Sequence, residues 1–432
     1  MKSSFCSHRQ QVQTMKINTT ITERLYGLFV QSTGIQTDSR KLQKGEIFFA
    51  LKGENFNGNQ YAAAALAAGA LAVVVDEAVE GVDEQRCVVV EDVLRTLQEL
   101  AHYHRKQLGI RVLAITGTNG KTTTKELTSA VLSRGFRTAC TVGNLNNHIG
   151  VPLTLLSMTA EDEVAVVEMG ASARGEIALL AEIAAPDYGL ITNIGRAHLE
   201  GFGGVEGIRK GKGELYDCLA LSGGVAIYRS DDEVLSAMVA ERTELRSVGY
   251  SSELAEGVKS NLVGDYNRFN IAAAVAVGRF FGVEEDKIRA AIAEYIPSNN
   301  RSQQVQTKDN LLTVDCYNAN PSSMAAAVAV HNATERSGYH RKVLILGDML
   351  ELGEWSHEEH ERVVEAAVGG DAERIILVGQ NFGATSSADP RIVRCATADD
   401  VVWLLSSQPL RRAFVLVKGS RGIRLEKVLP CL

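Results

Sequence analysis

The sequence predicts an α/β protein in which mainly parallel, doubly wound sheets carry the function. Three observations predict it. Short β-branched apolar runs alternate with helical patterns along much of the chain, as in strand–helix–strand units. One junction, residues 112–124, reads VLAITGTNGKTTT: an apolar run, a glycine-rich turn, then a helical pattern. The length of 432 residues, 45% hydrophobic and 22% charged, suits roughly two to four globular domains.

Taken in order, the first residues, MKSSFCSHRQQVQTM, hold no apolar stretch of the kind a secretory signal needs. A disordered leader is expected there, with Met15 as an alternative start. Residues 16–108 form a first domain with strands at Ile47–Leu51, Ala72–Val75 and Cys87–Val90. The run AAAALAAGALAVVV (62–75) is too short to cross a bilayer and divides at Gly69 into a helix and a strand. Asp92 is placed to cap a helix from Val93 to near Leu108. Residues 109–303 form a second domain around the glycine-rich loop. Residues 304–432 form a third, with strands at Val343–Leu346, Ile375–Val378 and Phe414–Val417. There Ser356-His357-Glu358-Glu359 has the form of a capping box. Seven scattered cysteines without C-x-x-C spacing read as reduced thiols, hence a cytoplasmic protein. A net charge of −7 argues against a general nucleic-acid binder, and membrane insertion is not expected.

The loop has the chemistry of a phosphate site. Gly117 and Gly120 let backbone N–H groups of Gly117, Thr118, Asn119 and Gly120 converge on an anion, and the helix beginning near Lys121 points its positive end there. Lys121 adds a full charge, Thr122 a hydroxyl suited to Mg²⁺, and Thr123 a second hydroxyl. The generic G-x-x-x-x-G-K-[ST] spacing would need glycine where Ile115 stands; the shorter T-G-T-N-G-K-T-T form is the one present. A tight turn with no ligand is the bland alternative. In doubly wound sheets ligands bind at carboxyl ends of strands. Glu168 ends one strand, His198 follows another that ends at Thr192, and Lys210 and Lys212 fall near a helix start. Singly, each also reads as a solvated cap or a satisfied loop residue. His357, His360 and Glu361 have near-helical spacing but not the H-E-x-x-H zinc pattern, so a solvated helix face is expected.

From about Thr37 onward the chain resembles the Mur ligases of bacterial cell-wall synthesis. The resemblance rests on GTNGKTT and on GNLNNHIGVPLTLL (143–156), EMGA (168–171), TNIGRAHLEGFG (192–203), DCYNANPSSM (315–324), LGDMLELG (346–353) and KGSR (418–421). TDSRKLQKGEIFFALKGENFNGNQY is similar to that family's uridine-nucleotide domain. YNANPSSM resembles the branch that adds a dipeptide, and the D-N-P-R motif of the branch that adds the third peptide residue is absent. Asn57-Gly58-Asn59 replaces a usual Asp-Gly-His, Val314 a first Asp and His148 a common acid, so Asn57, Asn59, Val314 and His148 receive no role.

The resemblance implies a mixed α/β uridine-nucleotide domain, a P-loop ATPase domain and a Rossmann-like third domain. It implies an ATP-dependent ligase that couples D-alanyl-D-alanine to UDP-N-acetylmuramoyl-tripeptide through an acyl phosphate, as a monomer. Lys121 would hold the β- and γ-phosphates; Thr122 and Glu168 would hold one Mg²⁺, and His198 would help hold a second. Lys212 aligns with a carbamylated lysine, the alternative being a surface lysine paired with Glu214. Asn267 and Asn270 would lie on the adenine side, and Arg301 and Asp315 would contact phosphate and ribose; helix capping and a surface ion pair are the alternatives. Ser39, Arg40, Asn146, Asn147, Tyr317, Asn318 and Asn320 would contact the nucleotide peptide or dipeptide, although Tyr-Asn-Ala-Asn-Pro is equally a turn sequence. Rival readings are a ligase adding one amino acid to the same nucleotide or glutamate to folate, a P-loop kinase, and an ATP-switch protein that makes no product.

Overall fold

The computed structural model describes residues 19–262, 264, 266–297 and 303–432; the expected leader, Met15 and Arg301 lie outside them. The chain divides into two compact units. One gathers the chain up to Gly109 with His148–Thr159 and Glu182–Ala185; the other gathers Ile110–Asn147, Ala160–Ala181 and Pro186–Leu432.

The first unit is built on a four-stranded parallel sheet in the order Ile35–Gln36, Ile47–Phe49, Ala72–Val75, Cys87–Val89. Its two central strands are buried at every position, which is why they read as unbroken apolar runs rather than as alternation. The expected helix is Val93–Leu108. Asp92 accepts the N–H of Arg95, and the chain leaves through Gly109 at φ +63°, a left-handed turn that glycine adopts without strain. Asn57 and Asn59 have a structural task. Asn59 is buried, donates to Asn57 Oδ1 (2.8 Å) and Asp76 Oδ1 (2.7 Å), and accepts from Asp76 N–H, tying the turn to the end of strand Ala72–Val75.

Segment 148–159 belongs to this unit although the phosphate-loop strand and helix precede it in sequence. Its helix, Gly150–Leu156, buries Val151, Leu155 and Leu156. Gln98 donates to the carbonyl of His148 (3.0 Å), and His104 Nε2 meets that of Met158 (2.9 Å). A reading in consecutive segments cannot find such a re-entry, because the apolar face does not state its partner.

The second unit carries two six-stranded sheets. The first is parallel throughout, in the order Arg246–Tyr250, Val225–Arg229, Tyr188–Ile191, Arg111–Thr116, Val164–Glu168, Thr138–Cys140. After Arg111–Thr116 the chain builds to one side, then to the other, so the glycine-rich loop leaves the sheet where strand order reverses. The second sheet runs Gln303–Gln306, Leu311–Asp315, Ala413–Lys418, Arg341–Gly347, Arg374–Val378, Ile392–Cys395. Its first strand is antiparallel and the rest are parallel, so this sheet is mainly parallel, as expected. The connection between Gln306 and Leu311 is too short for a crossover and permits only a hairpin.

The capping box expected at Ser356 is not formed. A 3₁₀ turn, Gly353–Trp355, runs directly into helix Ser356–Val368, so the backbone is already helical at Trp355 and no side chain caps the start. Ser356 is the first helical residue, and its carbonyl meets His360 Nδ1 (2.6 Å). His360 is wholly buried and accepts the N–H of Met349, so the expected solvated face does not include it. No described helix is long and apolar enough to cross a membrane.

Candidate active site

Register brings the predicted strand ends together. Ile115 pairs with Glu168 and Ile191 with Thr116, so the loop after Thr116 opens between Glu168 and Thr192. The loop is held against this sheet end by residues that sequence reasoning had not assigned. Asn193 Oδ1 accepts Asn119 N–H (3.1 Å), while Asn193 Nδ2 (2.9 Å) and Thr192 Oγ1 (2.6 Å) donate to the Asn119 carbonyl. Thr118 Oγ1 accepts the N–H of Gly195 (2.9 Å). The signal was the strand end in TNIG. The two glycines are required by close approach as well as by φ. A β-carbon on Gly117 (φ +139°) would lie 2.0 Å from Thr192 Oγ1, and one on Gly120 (φ +79°) would lie 2.3 Å from Asn270 Oδ1.

Helix Lys121–Leu132 starts at the loop. Lys121 Nζ folds back onto the carbonyls of Gly117 (2.8 Å) and Thr118 (2.9 Å). Thr122 is buried and donates to Glu168 Oε1 (3.1 Å), which also accepts from Asn146 Nδ2 (2.7 Å). Asn146, expected among the substrate contacts, thus meets the carboxylate; Asn147 is exposed. Glu168 Oε2 is buried and accepts no hydrogen bond from the described residues. A buried carboxylate oxygen without a partner is costly unless a cation satisfies it. Mg²⁺ takes few protein oxygens and fills its shell with phosphate and water, which suits the Thr122 hydroxyl and the Glu168 carboxylate.

Asn270 does not cap a helix. It accepts from Thr124 Oγ1 (3.0 Å) and donates to Asn267 Oδ1 (2.8 Å), joining the loop helix to the start of helix Asn267–Phe281.

Lys212 departs most from expectation. It lies within helix Val205–Ser222 rather than at its start, and is 2% exposed. Nζ donates to the Ala171 carbonyl (3.1 Å) and stands 5.0 Å from the Phe202 ring centre. The surface pairing with Glu214 is excluded. Glu214 instead accepts the N–H groups of Gly175 (2.7 Å) and Ala178 (3.0 Å). Burial, followed by the charge of Lys121, pushes the Lys212 ammonium well below the usual lysine range, with Glu176 and Glu214 opposing. The neighbouring cations Arg209 and Lys210 turn instead to Glu206, and Arg209 also binds Glu241.

His198 stands at φ +51°, half-buried, with Nδ1 bonded to Glu351, a residue of LGDMLELG that the sequence does not single out. Burial lowers its imidazole pKa, with Lys121 and Lys212 adding to the effect and Glu351 opposing it. His198, Asn318, Asn320, Leu350, Glu351 and Arg421 are among the residues lining a cleft of about 210 Å³. Asn320 Nδ2 donates to Asn119 Oδ1 (2.8 Å), joining the second sheet's loops to the phosphate loop. Asp315 pairs with buried Lys418 (2.5 Å), another unassigned residue, whose Nζ also reaches the Asn318 carbonyl (3.3 Å). The Tyr317 ring lies 5.7 Å from the Arg421 guanidinium carbon. Ser39 and Arg40 lie in the first unit, where Arg40 grips Asp38 (2.8 Å).

Three family descriptions match: "Mur ligase family, catalytic domain" over 31–113, "Mur ligase middle domain" over 115–253 and "Mur ligase, glutamate ligase domain" over 300–421. UDP-N-acetylmuramoyl-tripeptide–D-alanyl-D-alanine ligase of Bacillus subtilis (strain 168) is 35% identical, over 92% of this chain and 93% of that relative. Its namesake from Escherichia coli (strain K12) is 36% identical, over 94% and 95%. Among solved structures, MurF from Acinetobacter baumannii superposes with a TM-score of 0.84 at 30% identity, covering 95% of this chain and 97% of that one. MurF ligase from Thermotoga maritima in complex with ADP gives 0.81 at 27%, covering 93% and 97%. With these relatives matched almost end to end around one phosphate-loop site, the chain belongs to the Mur ligase family.

Proposed function

We propose that this chain is an ATP-dependent ligase that joins D-alanyl-D-alanine to UDP-N-acetylmuramoyl-tripeptide, a step in making peptidoglycan precursor. The observation that carries the reading is the joining of Asn320, from YNANPSSM, to Asn119 of the phosphate loop. It sets the stretch that marks the dipeptide-adding branch beside the group that would bind ATP. The names of the relatives support the same substrates.

A carboxylate and an amine do not condense in water unless the carboxylate is activated. The γ-phosphoryl group of ATP passes to the free carboxylate of the tripeptide, ADP leaves, and the dipeptide amine displaces phosphate from the acyl phosphate. Catalysis of the first transfer is mainly positioning and charge neutralisation. Lys121 exchanges the carbonyls of Gly117 and Thr118 for β- and γ-phosphate oxygens. The loop N–H groups fix the phosphates at the helix start. Thr122 and Glu168 would hold one Mg²⁺, and His198 would stand on the side of a second. Mg²⁺ supplies charge neutralisation where phosphate and carboxylate, both anions, must approach. Asn267 is read as an adenine-side contact, and Arg301 and Asp315 as contacts to phosphate and ribose. Ser39, Arg40, Asn147, Tyr317 and Asn318 are read as substrate contacts.

Lys212 is read as the site of a carbamate. Its lowered pKa favours the neutral amine that attacks CO₂; one proton leaves and an anion with two oxygens forms. Such an anion beside Lys121 reverses the sign of a charge that would otherwise repel metal. Domain boundaries near 108/109 and 303/304, a monomeric state and a cytoplasmic location complete the proposal; the described cysteines are all free thiols.

The test is ADP release on omission of each component. Sustained turnover is expected only with ATP, UDP-N-acetylmuramoyl-tripeptide and D-alanyl-D-alanine together. Equal turnover with a single amino acid or with a folate acceptor would move the chain to a sister activity. Fast turnover without any amine would make it a kinase or an ATPase.

A further inference from the structure

We infer that Glu351 is a positioning residue for His198 and fixes which imidazole nitrogen His198 presents to the cleft. This rests on the reading of His198 as a metal-side group. His198 (φ +51°) and Glu351 (φ +61°) both occupy the left-handed region, which a β-carbon disfavours, and their side chains bond to each other. Left-handed backbone at non-glycine residues persists where surrounding structure imposes it, and it gathers at functional sites.

The surroundings of Glu351 do impose it. Met349 N–H donates to buried His360 Nε2 (3.0 Å), and Leu350 N–H to Ser420 Oγ (3.2 Å). The Ser420 N–H returns to the Asp348 carbonyl (3.2 Å). The carbonyl of Glu351 accepts Glu200 N–H (3.5 Å), two residues beyond His198. The carboxylate is therefore delivered by a braced backbone, although the side chain itself is largely exposed.

The chemistry follows from what each group can donate. An ionised carboxylate only accepts, so a neutral imidazole bonded to it must carry its proton on Nδ1. That tautomer leaves the lone pair on Nε2, the nitrogen available to a metal ion or a metal-bound water. His198 follows strand Tyr188–Ile191 of one sheet, and Glu351 follows Arg341–Gly347 of the other. The imidazole is set only while these two sheets' loops meet.

The experiment is ¹⁵N NMR of histidine-labelled, metal-free protein, with the His198 resonances identified by their loss in His198→Gln. The Nδ1–H tautomer is expected in the wild type and its loss in Glu351→Ala. In turnover assays Glu351→Ala should lower kcat about 10–100-fold, the usual range for an outer partner of a ligating histidine. KM for ATP and for the nucleotide peptide should stay within about threefold, since the change acts on the transition state. Glu351→Asp should recover part of both signals. Glu351→Met, which keeps the length of the side chain and can accept no strong hydrogen bond, carries the same test should the alanine variant fail to fold. An unchanged tautomer, or a kcat within about twofold of wild type, overturns the inference. Full activity in His198→Gln overturns instead the role of His198 itself, so the two failures are distinguishable.

Discussion

Two buried cations-in-waiting show how placement alone sets a residue's chemistry. Lys212 is 2% exposed, with its Nζ on the Ala171 carbonyl and over the Phe202 ring, whereas Lys210, two residues earlier, stands on the surface beside Glu206. Lys212→Ala is expected to lower turnover about 10–100-fold or more, as loss of an outer-shell anion does. Acetate or formate should restore part of it by filling the vacated space, and Lys210→Ala should lose little. Near-normal turnover in Lys212→Ala, with CO₂ depleted and with bicarbonate added alike, removes the carbamate from the mechanism. His331 is the second case. It is 2% exposed, stacked on Phe414 with ring centres 4.3 Å apart, and neither ring nitrogen finds a hydrogen-bond partner among the described residues. Burial, then the charge of Lys342, pushes its pKa down to about 3. An unfolded imidazole titrates near 6.5, so above that pH neither state binds the proton, and below it only the unfolded chain does. Stability is therefore full above about pH 6.5 and falls as pH drops toward 3, by up to about 1.4 kcal/mol per pH unit. His331→Leu should flatten part of that slope in urea unfolding between pH 7 and 5; a slope equal to wild type would count against it.

At the scale of elements, Asn320 serves two structures at once. It is the N-cap of helix Pro321–Ala333, in a reciprocal capping box with Ser323, and its amide joins Asn119. The turn reading of this run is thus met by the cap, and the same side chain also holds the phosphate loop. Asn320→Ser should keep the cap and lose the amide, while Asn320→Ala loses both and costs about 1 kcal/mol of stability. Lowered activity is expected in both, and a lowered Tm only in the alanine variant. Equal melting of the two variants would sink this division. Elements whose cause is local were legible in the sequence: strand Ala72–Val75, helix Val93–Leu108 behind Asp92, and the loop from Gly117 to Thr123. What was illegible depends on a second segment. The carboxylate–imidazole pair of Glu351 and His198 joins loops that are 153 positions apart. The burial of Lys212 arises from Ala171 and Phe202, and the capping box at Ser356 fails because a preceding turn is already helical.

At the scale of the molecule, the chain completes its first unit only by returning to it at His148–Thr159 and Glu182–Ala185. A fragment beginning at Ile110 would carry helix Gly150–Leu156 without Gln98 and His104, which meet its flanks, and would bare Val151 and Leu155. It is expected to be far less soluble than the full chain, and replacing Val151 and Leu155 by polar residues should recover the fragment. A monodisperse, stable 110–432 fragment on gel filtration would contradict this. The same re-entry has a consequence for biosynthesis. Translation adds residues from the N-terminus at roughly 5–20 per second, and domains usually fold as they emerge. Here the leading unit must wait, with its Val93–Leu108 face uncovered, until the ribosome has also delivered the phosphate loop and its helix. The nascent protein therefore passes through an interval in which its first-made part is the one most in need of a chaperone.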